Sequence, residues 1–165
     1  MDTPVLLKKP KGEDIEKMFE ILENSLSQYL RVNDAASKNN RLIVNRYIVV
    51  EYVENDDYLC IDALVDSEIA GWLAGSSKST ILLEHGCSLG EFYIEEIVVD
   101  SRYRRRGVGS YLLRKIPMDN LKSIVVDTPL IDQQAIAFYE HSGFVKVNSL
   151  SEEFSKNWTR MSKLV

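Results

Sequence analysis

Ile97-Val98-Val99-Asp100-Ser101-Arg102-Tyr103-Arg104-Arg105-Arg106-Gly107-Val108-Gly109-Ser110-Tyr111-Leu112-Leu113 sets out an apolar strand, an arginine-rich turn with two glycines, and the opening of an amphipathic helix. That order suits a pyrophosphate. Glycines let the backbone approach phosphate oxygens, and successive N–H groups point at the anion. A helix N-terminus adds about half a positive charge, and arginines at the mouth supply planar, charge-assisted donors.

Three kinds of phosphate loop can be compared with this run. A Walker A loop closes on Gly-Lys-Ser/Thr, whereas this one reads Gly107-Val108-Gly109-Ser110 and has no lysine. A dinucleotide fingerprint, as in a nicotinamide-dependent dehydrogenase, needs a third glycine where Leu112 stands. Asp127 at the end of a later strand-like run is placed as that fingerprint requires, but two glycines and an acid are weak support.

A second run, Asp132-Gln133-Gln134-Ala135-Ile136-Ala137-Phe138-Tyr139-Glu140-His141-Ser142-Gly143-Phe144, lies downstream. Arg104-x-x-Gly107-x-Gly109 resembles the acetyl-coenzyme A loop of the GNAT N-acetyltransferase superfamily, Gln/Arg-x-x-Gly-x-Gly/Ala. The downstream run resembles that family's next helix, Asn-x-x-Ala-x-x-Phe-Tyr-x-x-x-Gly-Phe, with Asp132 where Asn is usual. The specific residues fall within about 95–144, while the order of elements is similar to the family fold over nearly the whole chain.

Composition agrees with a single domain over residues 1–165: 45% of residues are apolar and 27% charged, ordinary for a soluble globular protein. No run approaches the ~18 apolar residues of a membrane span, and the first residues lack the apolar segment of a signal peptide. Cys60 and Cys87 are too few and too far apart to indicate a disulfide framework or a metal site. Cytoplasmic residence is the expectation. The net charge of −5 argues against a nucleic-acid partner, and makes the cluster Arg102, Arg104, Arg105 and Arg106 stand out as a phosphate contact.

Periodicity predicts an α/β chain. A first strand at Val5-Leu6-Leu7 is followed by a helix over 12–22 with Ile15, Met18, Phe19 and Leu22 on one face. Further helix is expected between Ser25 and Tyr52, although Tyr47-Ile48-Val49-Val50 is equally strand-like. Runs 58–65 and 69–74 form a hairpin about Asp66-Ser67, and 91–99 is the long strand before the loop. A helix over 110–116 is stopped by Pro117. Strand 123–127 leads to a helix over 133–142, with Asp132 as N-cap and Gly143 at C′, and strands at 144–147 and 158–164 finish the chain.

The resemblance implies a mixed central sheet flanked by helices, whose parallel strands 91–99 and 123–127 splay apart. It implies acetyl-coenzyme A as cosubstrate, without a metal, and an amine acceptor, and it allows a homodimer. The pantetheine arm would pair with the backbone of Ile97, Val98 and Val99 as an added strand. The phosphates would meet Arg104, Arg105, Arg106, Gly107, Val108, Gly109 and Ser110, and Asp132 stands where the family has a further polar contact.

Acetyl transfer to a lysine-like amine, with a pKa near 10.4, requires deprotonation costing about 4.6 kcal/mol at pH 7. Glu95 and Glu96 supply candidate carboxylate bases; neighbours on a strand face opposite ways, so one of them serves, and the resemblance favours Glu95. Tyr139 matches the family tyrosine that gives a proton to the leaving thiolate, and the Val99 N–H is placed to hold the thioester carbonyl. His85 and Cys87 read as a loop histidine and a small buried thiol, and Trp72 as packing for the hairpin. The acceptor is left open between a polyamine, a lysine and a protein N-terminus. A non-enzymatic acyl-coenzyme A sensor of the same fold is the alternative.

Overall fold

The computed structural model describes residues 4–32, 46–148 and 150–165. In chain order its elements are β1 (Leu6–Lys8), α1 (Ile15–Val32), α2 (Arg46–Glu54), β2 (Leu59–Val65), β3 (Glu68–Ser76), α3 (Ser79–Glu84) and β4 (Glu91–Val99). There follow α4 (Val108–Leu113), β5 (Ser123–Pro129), α5 (Gln133–His141), β6 (Val145–Lys146), α6 (Glu152–Ser155) and β7 (Trp158–Leu164). The strands form a mixed sheet in the order β1-β2-β3-β4-β5-β7-β6, flanked by helices, so the expected fold class holds. Among the described residues no helix is long and apolar enough to cross a membrane.

The chain divides into two compact units, residues 1–74 with 96–116, and residues 75–95 with 117–165. The first is built on the apolar face of α1. Ile15, Met18, Ile21 and Leu22 recur at helical spacing and bury against Val49 and Tyr52 of α2 and Ile69, Trp72 and Val98 of the sheet. Trp72 is fully buried in this core and its indole N–H donates to the Met18 carbonyl at 3.0 Å. Residues 47–50, with strand-like side chains, are helical in α2. Val49, Val50, Tyr52 and Val53 pack one helical face on the core, so tertiary contact overrides the β-branched composition. The rest of the second expected helical stretch, 33–45, lies outside the described residues.

β1 and β2 pair antiparallel with Lys8 opposite Asp62. The Lys8 ammonium, however, goes to Asp14 at 2.6 Å, and the Lys11 N–H donates to the same carboxylate at 2.8 Å. Asp62 is left fully buried, with neither carboxyl oxygen hydrogen-bonded among the described residues. Burial first, and then repulsion from Asp14, push the Asp62 carboxyl up to about 7 against the pull of Lys8.

Asp66 and Ser67 join β2 to β3 as expected, both at positive φ (51° and 65°), the twist a two-residue hairpin needs. Gly71 of β3 permits a close approach. A Cβ there would lie 2.6 Å from the Val98 carbonyl oxygen and 3.2 Å from the Val99 Cα.

In the second unit, β4 and β5 run parallel from Glu91↔Ser123 to Ile94↔Val126, where the register ends; β4 continues to Val99 and β5 to Pro129. β7 pairs antiparallel with β5 over its whole length and with the short β6. Helix α5 begins at its N-cap Asp132, whose carboxylate accepts the Ala135 N–H at 2.8 Å, and is followed by Gly143 at φ +88°. Two expectations need correction. Helix α4 occupies Val108–Leu113 rather than 110–116, because Gly107 at φ +80° already serves as its N-cap. β6 is only Val145–Lys146, and the short helices α3 and α6 carry no strong periodicity in the sequence.

Candidate active site

The phosphate loop belongs to the first unit. Asp100 opens a 3-10 turn and accepts the Arg102 N–H at 2.9 Å. Arg105 (φ 64°) and Gly107 (φ 80°) are both left-handed, in the turn that leads into α4. A Cβ built on Gly107 would meet nothing within 4 Å, so its surroundings are open to a ligand. Val108 is buried, while Gly109 and Ser110 are half-buried on the first turn of α4.

The four arginines divide by partner. Arg102 is held by the Asp100 carboxylate at 2.9 Å and by Glu68 at 3.3 Å, and this pairing holds the Asp100 carboxyl below the usual range. Arg104, at the motif position, is half-buried: its Nε donates to the Val99 carbonyl at 3.1 Å and its Nη2 to the Ser25 hydroxyl at 3.4 Å. It braces the end of β4 to the loop and to α1. Arg105 and Arg106 are exposed, with the Arg106 guanidinium 5.6 Å over the Tyr103 ring.

Ile97, Val98 and Val99 lie on the part of β4 beyond its register with β5. Val98 is buried and its neighbours are half-buried. Glu96, on the same stretch, is half-buried and by strand alternation faces opposite to Glu95.

Glu95 belongs to the second unit, and sequence reasoning missed its surroundings. His85 caps the C-terminus of α3, and its Nε2 lies 2.9 Å from Glu95 Oε1. The imidazole stacks on Tyr93 of β4, centroids 3.8 Å apart and planes 14° from parallel. The Tyr93 hydroxyl donates to Asp127 of β5 at 3.1 Å, and Arg160 of β7 grips both Asp127 oxygens at 2.7 Å. Arg160 also donates to the His85 carbonyl at 2.6 Å. Asp127 is therefore tied up by Arg160 and Tyr93, unlike the ribose-binding acid of a dinucleotide site. Burial pushes the buried Cys87 thiol up to about 11, which suits a packing residue rather than a nucleophile.

Tyr139 is buried on α5, edge-on to Phe144 at 5.3 Å and tilted against the half-buried Phe138 at 5.2 Å. Asp132 spends one carboxyl oxygen on the cap of the same helix.

Residues 16–144 match the model of the acetyltransferase (GNAT) family. The chain belongs to that family. It is 26% identical over 153 residues to human N-alpha-acetyltransferase 30, covering 85% of this chain and 40% of that protein. With the Dictyostelium discoideum N-alpha-acetyltransferase 30 it shares 31% identity over 96 residues, 56% of this chain and 49% of that protein. The chain thus spans less than half the length of these relatives. In three dimensions it is similar to PaiA N-acetyltransferase of Thermoplasma acidophilum, solved with coenzyme A: TM-score 0.73, 15% identity, covering 98% of this chain and 99% of that one.

Proposed function

We propose that the two units work as one domain that transfers the acetyl group of acetyl-coenzyme A directly to the α-amine of a peptide or protein. The observation that carries this is the open, doubly left-handed loop with exposed Arg105 and Arg106, following directly on a strand that outruns its parallel partner. Arg105 and Arg106, with the N–H groups of Gly107 to Ser110, bind the pyrophosphate. The backbone of Ile97, Val98 and Val99 receives the pantetheine arm as an added strand. Arg104 acts from behind, holding Val99 in place.

Glu95 is the base and Tyr139 the acid in this reading. Glu95 removes the proton from the acceptor ammonium, so that the nitrogen lone pair attacks the thioester carbonyl. The Tyr139 phenol donates to the departing thiolate. The alternation of β4 leaves Glu96 the secondary choice.

The α-amine is favoured over lysine by the similarity to N-alpha-acetyltransferases and by the energetics of deprotonation. With a pKa of about 7.7–8.0, an α-amine costs about 1 kcal/mol to deprotonate at pH 7, against about 4.6 kcal/mol for lysine. A single partly covered carboxylate is adequate to the smaller task. The test is thiol release from acetyl-coenzyme A with three acceptors: a library of octapeptides with free α-amines, the same library blocked at the N-terminus but bearing lysine, and spermidine. Release confined to free α-amines is expected. Release with spermidine or lysine alone would overturn the acceptor, and no binding of acetyl-coenzyme A would overturn the function.

A further inference from the structure

The network around Glu95 has a direction. Acetylation of an ammonium yields an amide, a thiol and one proton, so whichever carboxylate takes that proton must be emptied before the next turnover. The Glu95 side chain is only 12% exposed, whereas His85, 2.9 Å from it, is 29% exposed. An imidazole is the side chain best able to accept and release protons between pH 5 and 8. We propose that His85 is a positioning and relay residue for the transfer: it holds the Glu95 carboxylate and passes the acceptor's proton from it to solvent. This rests on Glu95 being the base.

Restraint on the ring supports the assignment. His85 is fixed on three sides, by the stack on Tyr93, by the Arg160 bond to its carbonyl, and by Glu95 itself. The Arg160–Asp127 pair that fixes the carbonyl is itself largely covered, its side chains 12% and 11% exposed. A loop histidine with no task would need none of these. The titratable and charged groups around His85 are Glu95 and Tyr93 on β4, Asp127 on β5, Arg160 on β7, and Cys87 on its own segment. Their balance leaves Glu95 as the carboxylate in contact with the ring, since Arg160 takes up Asp127.

The proton bookkeeping closes. At rest Nε2–H of His85 donates to the ionised Glu95. Once Glu95 has taken the acceptor's proton, exchange with solvent moves the ring proton to Nδ1, Nε2 accepts the Glu95 proton, and the imidazolium then loses its Nδ1 proton to water, which restores the resting pair. The second N–H proton of the acceptor leaves as the amide forms and balances the proton that Tyr139 gives to the thiolate.

The experiment compares wild type, His85→Gln, His85→Ala, Glu95→Gln and the double variant His85→Gln/Glu95→Gln, using thiol release with the free-α-amine peptide library. Circular dichroism and calorimetric acetyl-coenzyme A binding establish that each variant is folded. Glutamine keeps an N–H donor for Glu95 but cannot carry a proton. The expectation is that His85→Gln lowers kcat at least tenfold with KM for acetyl-coenzyme A unchanged and flattens the acid limb of the pH profile. The double variant should be no slower than Glu95→Gln, and added imidazole should restore part of the rate of His85→Ala. Full activity of His85→Gln, or losses that multiply in the double variant, would overturn the relay while leaving Glu95 as base. Full activity of Glu95→Gln would overturn the base and the relay together, and an inert wild type would overturn the transfer itself.

Discussion

Replacing Asp62 by Asn should stabilise the protein at alkaline pH and leave it nearly unchanged at pH 4. Asp62 lies on β2 with no exposed surface and no hydrogen-bond partner for its carboxyl oxygens among the described residues, because Lys8 is drawn to Asp14. Burial, reinforced by Asp14, raises its folded-state value to about 7 from 3.8. Between those values the native state holds a proton that the unfolded chain has lost, so stability falls as pH rises from about 4 to about 7 and then levels off. A shift of roughly 3 units at about 1.36 kcal/mol each sets the cost above pH 7 at no more than about 4 kcal/mol. Asparagine carries no charge at any of these pH values, so the cost disappears with the substitution. Urea denaturation of both proteins at pH 4 and pH 8 measures it: the difference in unfolding free energy should be within about 1 kcal/mol at pH 4 and should favour the variant by about 2–4 kcal/mol at pH 8. An equal difference at the two pH values, or a less stable variant at pH 8, would refute the idea that an uncompensated carboxylate is buried there.

Arg105→Ala together with Arg106→Ala should raise KM for acetyl-coenzyme A about tenfold at low salt, and less at high salt, in a steady-state assay, since exposed charge contacts are screened. Arg102→Ala, whose guanidinium is already held by Asp100 and Glu68, should leave that KM within about twofold. Tyr139→Phe keeps the edge-on packing against Phe144 but removes the proposed acid, so kcat should fall by about 10²-fold in the thiol-release assay. Arg160→Met should lower stability by about 3 kcal/mol at pH 7, because it strands the covered Asp127 carboxylate. Urea denaturation of the two proteins at pH 7 measures that penalty.

The parts of this molecule readable from the sequence are those in which neighbours along the chain do the work. Gly107, Gly109 and the arginines announce the loop, and Asp132 and Gly143 bracket α5, because caps and left-handed turns are decided within a few residues. Residues 47–50 misdirect the reading because β-branched side chains suit either state, and only the core facing Val49 and Tyr52 settles it. The partners of Glu95 were illegible for a different reason. His85 reaches it from ten residues away through a helix end, and Arg160 reaches Asp127 from a strand 33 residues later. Arg104 shows the limit of a motif match, since its position in the pattern says nothing of the Val99 carbonyl that its side chain meets.

Gly71 carries a lesson about how this chain can drift. A Cβ at that position would sit 2.6 Å from the Val98 carbonyl oxygen, a clash with backbone that no rotamer can relieve. A saturation library selected only for folding, with no cofactor in the medium, should therefore return glycine alone at 71. Position 107, where a Cβ meets open space, should admit asparagine or aspartate under the same selection and lose them only when acetyl transfer is demanded. The two glycines would then be separated by cause, one guarding the shape of the sheet and the other the proposed cofactor loop.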